Sequence, residues 1–183
     1  MSKKTSFFAL LFCVALFVSG CASQRNVATP AQKNPIEVAN QMDRMALELA
    51  GISNARVESF TDTNNLKALK IRFDADVLFV SNGSTLSESA RNSLADLARI
   101  LNENHATKIA VFGHTDNVGT LDANQRLSRN RAGAVSAFLR SNRIANNRII
   151  ETAGRGFSEP IANNATAEGR AQNRRIEIFV YAR

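Results

Sequence analysis

The chain has 183 residues, with 23 Lys and Arg against 16 Asp and Glu, a formal net charge of +7 and 44% hydrophobic residues. That is enough for one packed core, while two cysteines cannot build a disulfide framework and two histidines supply a Cys/His zinc site poorly. The basic balance alone does not choose between nucleic acid, anionic lipid and an anionic polymer as partner.

Lys3 and Lys4 precede an apolar run over residues 7–18, and the small residues Ser19 and Gly20 follow. This is the order of a secretory signal, too short to span a membrane comfortably as a helix. Cys21 comes next, and Val18-Ser19-Gly20-Cys21 resembles the lipobox of bacterial lipoproteins. The resemblance implies cleavage before Cys21 and acylation of both its thiol and its amine. Several acyl chains anchor stably what one chain holds only marginally. Ala22 stands where an aspartate would resemble an inner-membrane retention signal, which points to the outer membrane. Cys13 leaves with the signal and Cys21 is taken up by lipid, so no disulfide is expected and the core alone must hold the fold. Without Lys3 and Lys4 the balance is 21 basic to 16 acidic residues, a net of +5. Export argues against nucleic acid.

Residues 22–35 are small and polar and contain Pro30 and Pro35, the composition of a flexible tether. Ile36, Ala39, Met42, Met45, Ala46 and Leu49 recur at helical spacing before Gly51, predicting a helix over 36–50. Strands are predicted at 55–60 and 69–73 around the turn 62–65, the second continuing or restarting through 77–80. After a loop at 81–84, Ser87 as N-cap and Glu88 in the first turn open a helix whose apolar face is Ala90, Leu94, Leu97, Ala98 and Leu101. The remaining order is strand 108–113, helix 122–140, strand 148–153, loop 154–165, a short helix near 166–172 and strand 175–182. In the last strand Ile176, Ile178 and Val180 alternate with Glu177, Phe179 and Tyr181, the period of a sheet with two different faces. The alternation predicts an α/β fold with helices packed on a mixed sheet.

Within the helix from Asp122, the residues Leu127, Ala134, Val135, Phe138 and Leu139 form the expected buried stripe. Asn124 and Arg131 lie two turns apart and border that stripe. An arginine so close to an apolar face needs a partner, because a buried unpaired charge is costly. The nearest acid is Asp116, on the loop that feeds the helix. Two readings stand side by side. Asp116 and Arg131 form a structural ion pair, with Asn124 tying down the loop. Alternatively they are a split receptor, in which Asp116 accepts from an ammonium and Arg131 grips a carboxylate with its planar fork. His114 reads as a hydrogen-bonding core histidine. Gly154-Arg155-Gly156 reads as a turn, since it lacks the helix and the Lys-Ser pair of a phosphate loop. Arg170, Arg174 and Arg175 read either as contacts to ligand carboxylates or as surface arginines beside Glu168 and Glu177.

Three separated runs carry a resemblance. Gly113-His114-Thr115-Asp116-Asn117-Val118-Gly119, Asn124-Gln125-Arg126-Leu127-Ser128-Arg129-Asn130-Arg131-Ala132 and Glu168-Gly169-Arg170-Ala171-Gln172-Asn173-Arg174-Arg175 together resemble the OmpA-like peptidoglycan-binding domain. The resemblance covers residues 76–183. It implies a βαβαβ(α)β mixed sheet over 74–183, preceded by the helix and hairpin of 36–73, the tether of 21–35 and the signal peptide of 1–20. It also implies non-covalent binding of the meso-diaminopimelate side chain of the peptidoglycan stem peptide, with Asp116 on the ammonium and Arg131 on the carboxylate. Asn82, Thr115 and Asn124 match further pocket positions. The family often has an aspartate shortly after the first strand's phenylalanine, whereas here Val80 follows Phe79. No cofactor, metal, nucleic-acid partner or catalysis is implied. The expected role is an outer-membrane lipoprotein, anchored at Cys21 and facing the periplasm, that holds the cell wall. The alternative is a periplasmic signalling lipoprotein that captures a protein partner through residues 36–73.

Overall fold

The computed structural model describes residues 35–81 and 83–182. The expectations for the signal, for Cys21 and for most of the tether lie outside the described residues, as does Asn82. Helix α1 (Pro35–Ala50) leads into the hairpin β1 (Ala55–Thr61) and β2 (Lys67–Asp74), followed by the short α2 (Ala75–Leu78) and α3 (Glu88–Glu103). Then come β3 (Lys108–His114), α4 (Leu121–Ser141), a 3-10 turn (Asn146–Arg148), β4 (Ile149–Gly156), α5 (Ala167–Asn173) and β5 (Arg175–Tyr181). The strands form one mixed sheet in the order β1-β2-β5-β3-β4, antiparallel throughout except for the parallel pair β3 and β4.

The alternation in β5 sorts the two faces of the sheet. Ile176, Ile178 and Val180 are buried in one core with Leu69, Ile71 and Phe73 of β2 and Ile109 and Val111 of β3. Met42, Met45 and Leu49 of α1, Leu94, Leu97 and Leu101 of α3, and Val135 and Leu139 of α4 close over them. Residues 36–73 therefore share one sheet and one core with everything that follows, and β2 lies between β1 and β5. On the other face Phe179 meets Phe60 and Phe112 edge to face and stacks on Tyr181, with the Arg155 guanidinium 4.6 Å from the Phe112 ring centre.

Three elements differ from expectation. Residues 77–80 do not continue the second strand. β5 begins at Arg175, opposite Asp74, so β2 has no partner beyond that point and the Arg174 carbonyl takes the Ala75 N–H at 2.9 Å. The chain turns into α2 instead, and a Phe79–Leu86 bridge closes the following loop. Residues 154–156 are the end of β4 rather than a turn, paired with Gly113 and His114 of β3. The buried side of α4 is also more polar than its apolar spacing suggests. Asn124, Ser128, Arg131 and Ser136 are buried with Ala132, Val135 and Leu139, whereas Leu127, Ala134 and Phe138 are half-buried.

Glycine explains that polarity. A Cβ on Gly113 would overlap the Ser128 carbonyl, and one on Gly154 would overlap the Arg129 amide and the Ser128 hydroxyl. Helix α4 thus lies against β3 and β4 too closely for large side chains. Ser128 Oγ accepts from the Gly156 N–H at 3.0 Å, and the Gln125 side-chain amide donates to the Gly154 carbonyl at 2.7 Å. The contact is made of hydrogen bonds where a thicker interface would use Leu or Val.

His114 is buried without a well-formed hydrogen bond. Its Nε2 lies 3.5 Å from Glu177 and its Nδ1 3.9 Å from Glu159. Glu177 accepts from Arg175 Nε at 2.8 Å, and both side chains are buried. Burial pushes the Glu177 carboxyl up, but His114 and the Arg175 guanidinium more than offset it and hold it at about 2.

Two outcomes are expected. Gly113→Ala should destabilise the fold by about 3 kcal/mol, because the helix cannot retreat without breaking the Ser128 and Gln125 bonds; thermal or denaturant unfolding measures this. The Glu177 carboxylate contributes stability that is complete above its ordinary value of 4.5 and is lost as pH falls towards about 2. Glu177→Gln should therefore lie about 3 kcal/mol below wild type near neutral pH, with the gap closing across that acid window, as followed by denaturant unfolding at a series of pH values.

Candidate functional site

The end of β3 delivers a tightly held loop. The Thr115 N–H donates to the Gly156 carbonyl at 2.8 Å, which fixes the backbone just before Asp116. Asp116 Oδ1 accepts from the Val118 N–H at 3.0 Å, the local turn that aspartate favours. Gly119 supplies a φ of +93°, and the Thr120 hydroxyl caps α4 by accepting from the Ala123 N–H at 3.2 Å. Asn124, one turn into the helix, donates to the Val118 carbonyl at 2.8 Å and so ties the loop down.

Arg131 is reached two turns further along the same face. Its Nε donates to the Gly83 carbonyl at 2.9 Å, and its guanidinium carbon lies 5.1 Å from the Phe79 ring centre. The residue is only 2% exposed, and its Nη1 has no hydrogen-bond partner among the described residues. Burial lowers its basicity, with Asp76 and Asp116 opposing and Arg174 reinforcing that trend. Thr115 is 3% exposed, and its hydroxyl is likewise without a partner.

These groups line one open cavity of about 740 Å³. Its polar wall is Asp76, Thr115, Asp116, Arg131, Arg170 and Arg174, and its apolar wall includes Phe79, Val118 and Leu127. Thr115, Asp116, Asn124 and Arg131 are thus brought together as the sequence suggested. Asn82 lies outside the described residues, although its neighbour Ser81 lines the cavity and the Gly83 carbonyl holds Arg131.

The ion pair between Asp116 and Arg131 is not formed. Asp116 Oδ2 instead accepts from Arg174 Nη1 at 2.8 Å. Arg174 at the same time grips Asp76, its Nε donating to both carboxylate oxygens at 3.0 and 3.2 Å and its Nη2 donating to Oδ2 at 2.6 Å. The two acids, Asp76 foremost, raise the Arg174 guanidinium above its ordinary value, and Arg174 in turn holds the Asp76 carboxyl below its own. Asp76 is a functional candidate that sequence reasoning missed, and Arg174 was weighed there only as a ligand contact or a surface arginine, not as the partner of Asp116. Arg174 is no surface arginine, and Arg175 beside it is buried on the opposite face with Glu177. Strand alternation carried that signal: Arg175 and Glu177, two apart, share a face, which leaves Arg174 for the other.

The OmpA family matches residues 78–174, more than half of the chain. Among curated proteins, "Probable lipoprotein YiaD" of Escherichia coli is 44% identical over 103 residues, covering 56% of this chain and 47% of that protein. "Outer-membrane lipoprotein YfiB" of Pseudomonas aeruginosa is 43% identical over 108 residues, covering 58% of this chain and 62% of that protein. The chain spans about half the length of the curated relatives it matches. Among solved structures, the cell wall anchor of the T6SS from Pseudomonas aeruginosa superposes with a TM-score of 0.64 at 31% identity, over 76% of this chain and 96% of that one. With the family pattern running from α2 through the cavity to Arg174, and a five-stranded sheet that superposes on such an anchor, the chain belongs to the OmpA family.

Proposed function

We propose that this protein is an outer-membrane lipoprotein that binds peptidoglycan non-covalently through the diaminopimelate of the stem peptide and so tethers the membrane to the wall. One observation carries the reading: Arg131 Nη1 and the Thr115 hydroxyl are buried without a partner among the described residues, and both residues line the cavity that also holds Asp116. A native fold rarely leaves such groups unsatisfied, and a ligand carboxylate would satisfy both. Asp116 uses two of its roughly four acceptor positions internally, which leaves room for an ammonium. The free end of diaminopimelate carries both groups on one carbon. The names of the relatives, two lipoproteins and a cell wall anchor, point the same way.

In this reading the site holds its ligand without turning it over, with lipid at Cys21 as the other end of the bridge. Each grip can be weak, since many copies on one continuous polymer add through effective concentration. The alternative, capture of a protein partner through residues 36–73, has less to rest on. Met42, Met45 and Leu49 are spent on the core, although Leu47 is exposed on the outer side of α1.

Calorimetric titration with a diaminopimelate-containing stem peptide tests the site. Wild type should bind, and Asp116→Ala and Arg131→Ala should each lose about 2 kcal/mol or more. A folded wild type that binds no stem peptide would remove the reading. For the anchor, Cys21→Ser should release the chain from the membrane fraction, and its retention there would reject lipidation.

A further inference from the structure

We propose that Asp76 is a second acid of the ligand site, and that it makes the cavity select an ammonium beside a carboxylate rather than any anion. This rests on the reading of the cavity as a stem-peptide site. The argument is one of charge. Asp116 alone with Arg174 would be a neutral pair, offering an incoming cation little net attraction. Asp76 shares the same guanidinium, so two carboxylates and one cation leave a charge of −1 at that end. Without Asp76, the cavity would hold one carboxylate against Arg131, Arg170 and Arg174 and would favour anions of any kind.

Accessibility and position support the same residue. The Asp76 side chain is 51% exposed and that of Asp116 only 12%, so a ligand entering from solvent meets Asp76 first. Asp76 also lines the same cavity as Arg131 and accepts from Arg174, so it stands with both guanidinium groups. Arg131 and Thr115, whose Nη1 and hydroxyl have no partner among the described residues, line the same cavity. In this proposal Asp76, Arg174 and Asp116, joined by hydrogen bonds, form the cation-binding group, and Arg131 with Thr115 the anion-binding group.

The test uses the full chain in detergent micelles and two ligands, a diaminopimelate stem peptide and the same peptide with its side-chain amine acetylated. Wild type should bind the free amine at least about tenfold more tightly. Asp76→Asn should bring that ratio to about one by weakening only the amine-bearing peptide, while Asp76→Glu, which keeps the charge, should retain the preference. Equal weakening of both peptides by Asp76→Asn at an unchanged melting temperature would make Asp76 merely structural and overturn the proposal. A wild type that binds both peptides alike would overturn it while leaving wall binding intact. A folded wild type that binds neither would overturn both.

Discussion

Helix α4 rests on β3 and β4 at a separation that only glycine on the sheet side permits, and the cavity takes its shape from that contact. Gly113 and Gly154 leave no side chain between the strands and Ser128, so the helix is fixed by hydrogen bonds to backbone. With Ser128 locked, Asn124 one turn earlier reaches the loop that carries Asp116, and Arg131 nearly one turn later faces Phe79 and Gly83. A thicker interface would lift Asn124 and Arg131 away from the end of β3. The short separation converts a helix face that would otherwise be plain core into one wall of a polar site.

The electrostatics follow from the same geometry. Arg131 is buried with one hydrogen bond to a carbonyl and an aromatic face beneath it, and with no carboxylate in contact. A guanidinium can stay charged in such a place because it is weakly hydrated and very basic, which lysine is not. The nearby carboxylates are committed elsewhere, both to Arg174. The fold thus keeps its acids and its buried base apart by giving the acids another cation, and the strain of an unmatched charge remains in the cavity.

Much of this was legible in the sequence because it is local there. Asp116, Asn124 and Arg131 fall within sixteen residues, so loop and helix periodicity suffice to bring them near one another. The core face of β5 was equally plain from Ile176, Ile178 and Val180. What could not be read depends on distant partners. Arg174 meets residues 58 and 98 positions away, and no periodicity reports which acid it will choose. The end of β2 at Asp74 is set by the start of its neighbour β5, so 77–80 has strand-like residues and no strand. Ser128 is buried because glycines face the helix from β3 and β4, a fact held in another element altogether.

The place of β2 has a mechanical consequence. The family pattern begins at residue 78, yet β2 and α1 complete the sheet and the core that support the cavity. In the proposed tether, with its anchor on the N-terminal side, a pull would enter at α1 and pass through the hairpin and the β2–β5 ladder before it reached Arg174. The load would be carried in series, and its first member is a helix held by apolar side chains and a few side-chain polar contacts such as Lys67–Asp43 and Gln41–Asn104. Such a chain would peel and lengthen at α1 under tension while β3, α4 and β5 kept the cavity intact, so the first element to give way contributes no residue to the cavity wall.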